Sequence, residues 1–197
     1  MKKLLLIGWT ALTVPCWAAT PIAVDWGTPE TAPVKVARPF AGFLSDGSFL
    51  VAGGSDFVDG VKTYRTDVAV RAPDGTWKKV GELPHPVAEG VSCAVPDGVF
   101  AAGGTDGQRG YVTACILKGD GSVVELPDLP SSVTMGAAAA DGATVYVVGA
   151  QKVWKLDTAN GTAWTEVGQV PGPARAQHVA TIQNGDQKEK RLVLRRL

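Results

Sequence analysis

From about residue 34 onward the chain alternates short apolar runs with Asp-Gly, Asn-Gly and Leu-Pro punctuation. Three runs superimpose: LSDGSFLVAGG (44–54), VPDGVFAAGG (95–104) and ADGATVYVVGA (140–150). Their first glycines fall at 53, 103 and 149, so the pattern repeats with a period near 50. A fixed period of that length marks an array of one supersecondary unit. Within each period the runs turn first at Asp46-Gly47, Asp97-Gly98, Asp141-Gly142 and finally Asn184-Gly185. They turn again at Asp74-Gly75, Asp120-Gly121 and Asn160-Gly161. Such dipeptides between strand-like runs predict hairpins with type I′ turns, whose two central residues both need positive φ. Two hairpins per period make four strands. No useful stretch of helical period lies beyond the first residues, and even the alanine-rich 135–140 stands where the other copies have their first strand. The predicted class is all-β.

A hydrophobic strand ending in paired glycines, a variable loop, a third strand and a tryptophan-bearing fourth strand leading to Leu-Pro resemble the kelch repeat. That unit is a four-stranded antiparallel blade of a β-propeller. The fourth-strand segments are DGTWKKVGELP (74–84), DGSVVELPDLP (120–130) and NGTAWTEVGQVP (160–171), with Trp77 and Trp164 on the outer strand and Val124 replacing the aromatic in the middle copy. The expected organisation is a signal peptide over 1–18, blades over 34–84, 85–130 and 131–171, and an incomplete fourth blade with a basic tail over 172–197. The paired glycines are expected where a Cβ would clash or φ must be positive. The tryptophans are expected to pack between blades, since a large aromatic usually serves burial.

Closed propellers usually have roughly 4 to 8 blades, so a partial propeller of three blades and the start of a fourth leaves open edges. Unpaired strand groups at such edges favour self-association. The last residues, QKEKRLVLRRL, lack the paired glycines expected after a second strand. They read as a solvated basic end, a truncation, or a shifted reading frame near Arg191.

Composition then narrows the setting. Lys2 and Lys3 precede an apolar stretch over 4–14 and a small-residue exit at Ala18 and Ala19, the anatomy of a secretory signal. That stretch is well short of the roughly 20 residues that cross a bilayer, so the expectation is a periplasmic or secreted protein with no membrane partner after cleavage. Lipid attachment at Cys16 is the weaker alternative, because Val14-Pro15 lacks the small residue that precedes a lipoprotein cysteine. The chain carries 19 basic and 19 acidic residues, yet five of the basic ones lie in 188–197, and the body offers no basic surface for nucleic acid. Cys93 and Cys115 fall on strands separated by another strand, about 9 to 10 Å apart at the ladder spacing. A disulfide needs Cα atoms within about 7 Å, so two buried free thiols are expected. With His85 and His178 the only histidines and no close cysteine pair, no metal site is expected.

A narrower resemblance lies in FAGFLSDGSFLVAGGSDF (40–57) and LPHPVAEGVSCAVPDGVFAAGG (83–104). These segments look like the cyclically permuted mutarotases, exported bacterial kelch proteins related to N-acetylneuraminate epimerase. The resemblance implies interconversion of the α and β anomers of free sialic acid in the periplasm, with no cofactor. Mutarotation removes a proton from the anomeric hydroxyl and delivers one to the ring oxygen, so acid and base groups must face one pocket. A sugar carboxylate calls for arginine, whose planar fork suits two-point recognition. The candidates are Glu89 as the catalytic group and Arg38, Arg109, Arg175 and His178 as substrate-binding groups. Where the family tends to carry an aromatic this chain has Glu89, which either alters the pocket or decorates its rim. Each of these could equally be an ordinary surface charge.

Because kelch architecture serves enzymes and adaptors alike, the alternatives are a noncatalytic glycan- or protein-binding module and an inactive fragment of the enzyme. Nucleophilic hydrolysis is disfavoured. His85 stands in a rigid connector between Pro84 and Pro86, His178 in a strand, and no motif joins either to a serine. The paired glycines are followed by neither the lysine pattern nor the helix of a phosphate loop.

Overall fold

The structure, a computed structural model, describes residues 32, 35–149, 151–171, 178–184 and 190–196. Residues 1–18, read above as a signal peptide, together with Arg175 and Gly185, therefore lie outside the described residues. The first sheet holds β1 (Phe40–Phe43), β2 (Phe49–Ala52), β5 (Asp67–Arg71) and β6 (Trp77–Glu82) in sequence order, and a separate hairpin of β3 (Ser55–Val58) and β4 (Val61–Tyr64) is inserted between its second and third strands. The second comprises β7 (Val91–Val95), β8 (Gly98–Ala102), β9 (Ala114–Leu117) and β10 (Val123–Leu126). The third comprises β11 (Ala137–Asp141), β12 (Thr144–Gly149), β13 (Lys152–Asp157) and β14 (Thr165–Gln169), and a two-stranded sheet of β15 (His178–Asn184) and β16 (Lys190–Arg196) follows. All of these pairings are antiparallel. Three kelch-type blades and the first hairpin of a fourth are present, and no helix occurs among the described residues.

The first strands of the blades neighbour one another in turn, β1 beside β7, β7 beside β11, and β11 beside β15. They are the inner strands. Every residue of β8 is buried, because its two faces feed two cores. Val99 and Ala101 pack with Leu50, Val68 and Leu83 of the first blade, while Phe100 and Ala102 pack with Val145, Val147 and Trp154 of the third. Cys93 joins the second of these cores and Cys115 the first, on opposite faces of the sheet, and both thiols are free. Burial pushes the Cys93 thiol up to about 12; burial and then the Glu125 carboxylate push Cys115 up to about 11.

The paired glycines act as their sequence suggests. Gly53 and Gly54 have φ of 64° and 96°, and Gly103 and Gly104 have 68° and 92°. Gly54 N–H donates to Val87 O and Gly104 N–H to Val133 O, both at 2.8 Å. A Cβ on Gly53 or Gly103 would run into those same carbonyls. Each pair thus clasps the linker that carries the chain into the next blade.

Three details differ from the sequence reading. At Asp46-Gly47, Asp74-Gly75 and Asp120-Gly121 only the glycine has positive φ. Leu44, Ala72 and Lys118 each accept from the glycine N–H and donate to the residue after it, which makes three-residue loops of a type I turn plus a G1 bulge. In each, the aspartate carboxylate accepts from the backbone N–H two residues on, at 2.9 Å, and so holds the tighter type I form. The aspartate-glycine pair with φ positive at both residues is Asp59-Gly60 (50° and 78°), joining β3 to β4 inside the loop read as merely variable.

The second difference is a register of one residue. Val123 pairs Leu117 as Trp77 pairs Arg71, so Val123 rather than Val124 takes the tryptophan position. Val124 points to the other face, and both valines are exposed. Trp164 meets Phe100 at 6.0 Å between ring centroids and its Nε1 donates to Pro127 O at 2.8 Å, so one indole does pack across a blade interface. Thirdly, part of the basic tail, Lys190–Arg196, forms a strand: β16 pairs with β15 from His178–Arg196 through Asn184–Lys190.

Candidate active site at the rim of the inner strands

The long loops and interblade linkers share one end of the blades, where the inner strands start. Three residues there take left-handed backbone at equivalent places two positions before their inner strands: Arg38 (φ 52°), Glu89 (64°) and Met135 (57°). Glu89 N–H donates to Arg38 O at 3.0 Å and Met135 N–H to Glu89 O at 2.7 Å, so the main chain is linked from blade to blade along the rim.

Two of the five residues singled out in the sequence come together here. Glu89 Oε1 lies 2.8 Å from Lys62 Nζ and 4.0 Å from the Arg38 guanidinium, and the Glu89 side chain is 18% exposed. Lys62 also lies 4.9 Å from the centroid of the Tyr64 ring. The hydrogen bond to Glu89, then that to Tyr64, raises the Lys62 pKa and keeps the ammonium charged. Lys62 and Tyr64 were missed because they ride on the β3–β4 hairpin, whose signal was the Asp59-Gly60 pair flanked by Phe57-Val58 and Val61. Arg65 pairs with both carboxylate oxygens of Asp56 and braces the hairpin at its base.

Arg109 is held elsewhere. Its loop is fixed at Thr105, which bridges to Ala88, and at Asp106, whose carboxylate accepts from the N–H groups of Gln108 and Arg109 and from the Tyr111 hydroxyl. Those bonds, that of the Arg109 N–H first, lower the Asp106 pKa to about 2. The Arg109 guanidinium, with a side chain 71% exposed, lies over the Tyr111 ring, and His85 stacks on Tyr111 at 3.9 Å between centroids. Burial first, then the Arg109 charge, lowers the His85 pKa. Gly107 at the loop tip lies against the Tyr64 ring, so the loops of the first two blades touch. The backbone of His178 starts β15, while Arg175 lies outside the described residues. Among the described residues no group of three His, Cys, Asp or Glu side chains is placed to hold a metal ion.

The cluster therefore presents one carboxylate between two cations on a rim bounded by a tyrosine-bearing hairpin. Such a group can accept a proton from a bound hydroxyl while a guanidinium holds an anionic partner.

No family model matches the chain. N-acetylneuraminate epimerase from Pasteurella multocida (strain Pm70) is 38% identical over an alignment 65 residues long, which covers 31% of this chain and 17% of that protein. The structure of YjhT superposes with a TM-score of 0.66 over 76% of this chain and 56% of the other, at 15% identity. The matches thus span under a fifth of the curated relative and little more than half of YjhT. The likeness to YjhT is one of fold.

Proposed function

We propose that this chain is an exported protein whose rim at Arg38, Lys62 and Glu89 binds a sugar acid such as N-acetylneuraminate and exchanges its anomers. The observation that carries the reading is the Glu89 carboxylate, largely withdrawn from solvent between two cations at the start of the inner strands. The 65-residue likeness to an N-acetylneuraminate epimerase supports the substrate class. The lysine pair and apolar stretch at the start of the sequence support export.

In this reading the Arg38 guanidinium receives the sugar carboxylate, and Glu89 removes the proton of the anomeric hydroxyl. The bond from the anomeric carbon to the ring oxygen breaks as a carbonyl forms, and the ring oxygen takes the proton back from Glu89. Both oxygens sit on one carbon, so one carboxylate serves both transfers. Closure on the other face of the carbonyl reverses the steps. Nothing is oxidised or reduced, so the reaction calls for no redox partner. Lys62 offsets the Glu89 charge while the site is empty and donates to a sugar hydroxyl when it is filled. Arg175 and His178 enter the reading as partners from the fourth blade, and Arg109 joins only by leaving Tyr111.

The test is exchange spectroscopy of free N-acetylneuraminate with the purified chain. Exchange faster than in buffer, lost in Glu89→Gln, supports the proposal; exchange at the buffer rate with folded protein overturns it. A second reading, a noncatalytic glycan- or protein-binding module, draws on the apolar tip of the β3–β4 hairpin, where Phe57 is 73% exposed beside Val58 and Val61. Saturable binding with exchange at the buffer rate favours that reading.

A further inference from the structure

Trp77 pairs with Arg71 on the outer strand of the first blade, and Trp164, one residue before the outer strand of the third, packs on Phe100 of the preceding blade, whereas the second blade has Val123 at the equivalent position. A cavity of about 200 Å³ opens between the first two blades beside this smaller side chain. Its walls are Phe40, Leu83, Val87, Ala101, Cys115 and Val123, and all but the last two are nearly or fully buried. A dry apolar cavity of about 150 Å³ takes up benzene, so this one has room for a single or fused aromatic ring.

The polar side chains around it are unevenly signed. Glu125, directly across the ladder from Cys115, and Asp128 on the linker bring two exposed carboxylates to the lining, and no lysine or arginine lines it. His85 also lines it and stacks on Tyr111, and burial first, then the nearby Arg109 charge, lowers its pKa. A negative rim over an apolar floor is complementary to a flat ring that carries a positive charge.

We propose that the cleft between the first two blades binds an arylalkylamine, with the ring beside Val123 and Cys115 and the ammonium at Glu125 and Asp128. This site is separate from the Arg38, Lys62 and Glu89 rim and stands whether or not the rim exchanges sugar anomers.

The probes are tryptamine and indole-3-acetate, which share a ring and differ in charge. Titrated into the full chain and followed by calorimetry, tryptamine should bind at one site, at least tenfold more tightly than indole-3-acetate. Val123→Trp should fill the cavity, raise the thermal midpoint and weaken tryptamine binding at least tenfold. The double variant Glu125→Gln, Asp128→Asn should erase the preference for the amine. Equal affinity for the two probes in the wild type, or undiminished tryptamine binding in folded Val123→Trp, overturns the proposal. Should that variant fail to fold, thiol labelling of the wild type decides. Tryptamine should slow labelling of Cys115 and leave Cys93, on the opposite face of the sheet, unchanged; no selective protection overturns the site.

Discussion

Ser92 satisfies both polar backbone groups of Ala41: its Oγ accepts from Ala41 N–H and donates to Ala41 O, each at 3.0 Å. The bond joins the inner strands β7 and β1 by a single hydroxyl. Ser92→Ala leaves two part-buried backbone groups without that partner, and the expected loss is about 1–3 kcal/mol. Urea unfolding monitored by tryptophan fluorescence measures it, and an unchanged midpoint would show that water replaces the hydroxyl at no cost.

Trp77 and Trp164 should respond unequally to the same change. Trp164 Nε1 donates to Pro127 O, whereas Trp77 Nε1 is buried and has no hydrogen-bond partner among the described residues. Trp164→Phe gives up a made bond and should cost about 1 kcal/mol beyond the loss of ring area. Trp77→Phe removes a buried donor that has no acceptor, so it should be less destabilising than Trp164→Phe. Thermal midpoints of the two variants, compared directly, decide the order.

Asp106 ties stability to acid pH. Its folded pKa, about 2, lies below the unfolded value near 4, so its contribution is fully present above about pH 4 and is lost as pH falls toward 2. Asp46, Asp74 and Asp120 are lowered in the same direction by their turn hydrogen bonds. The difference between the wild type and Asp106→Asn isolates the one residue. Their denaturation midpoints should converge between about pH 4 and pH 2, and parallel curves would contradict the role given to Asp106.

Cys93 and Cys115 should be sluggish thiols. With pKa values pushed up to about 12 and about 11, both carry little thiolate near neutrality. Iodoacetamide at pH 8 should modify them at least about tenfold more slowly in the folded chain than in urea. Mild oxidation should leave the intramolecular pair unlinked, as intact mass would show, because the two side chains point to opposite faces of one sheet.

Much of this architecture was legible because it depends on signals local in the chain. Gly53-Gly54 and Gly103-Gly104 need positive φ and no Cβ, and the aspartate-glycine pairs mark chain reversal whichever turn forms. The kind of turn was not legible, since it depends on whether Asp46, Asp74 and Asp120 spend their carboxylates on the next N–H groups. The tryptophan position of the second blade was misplaced by one residue because two adjacent valines give no cue to which of them takes it. At the rim, Arg38 and Glu89 could be picked out as charges ahead of inner strands, but Lys62 arrives on an inserted hairpin. Its reach to Glu89, 27 residues away, follows from how that hairpin folds over the next blade.

The hydrogen bonds that link Arg38, Glu89 and Met135 run through main-chain atoms. A cation, an anion and a thioether occupy equivalent places, and those backbone bonds can form whichever side chain stands there. Each position is a socket whose fitting can be exchanged while the frame stays still. A lineage built on this frame can rewrite its rim one side chain at a time and change what the surface recognises without renegotiating how the blades meet.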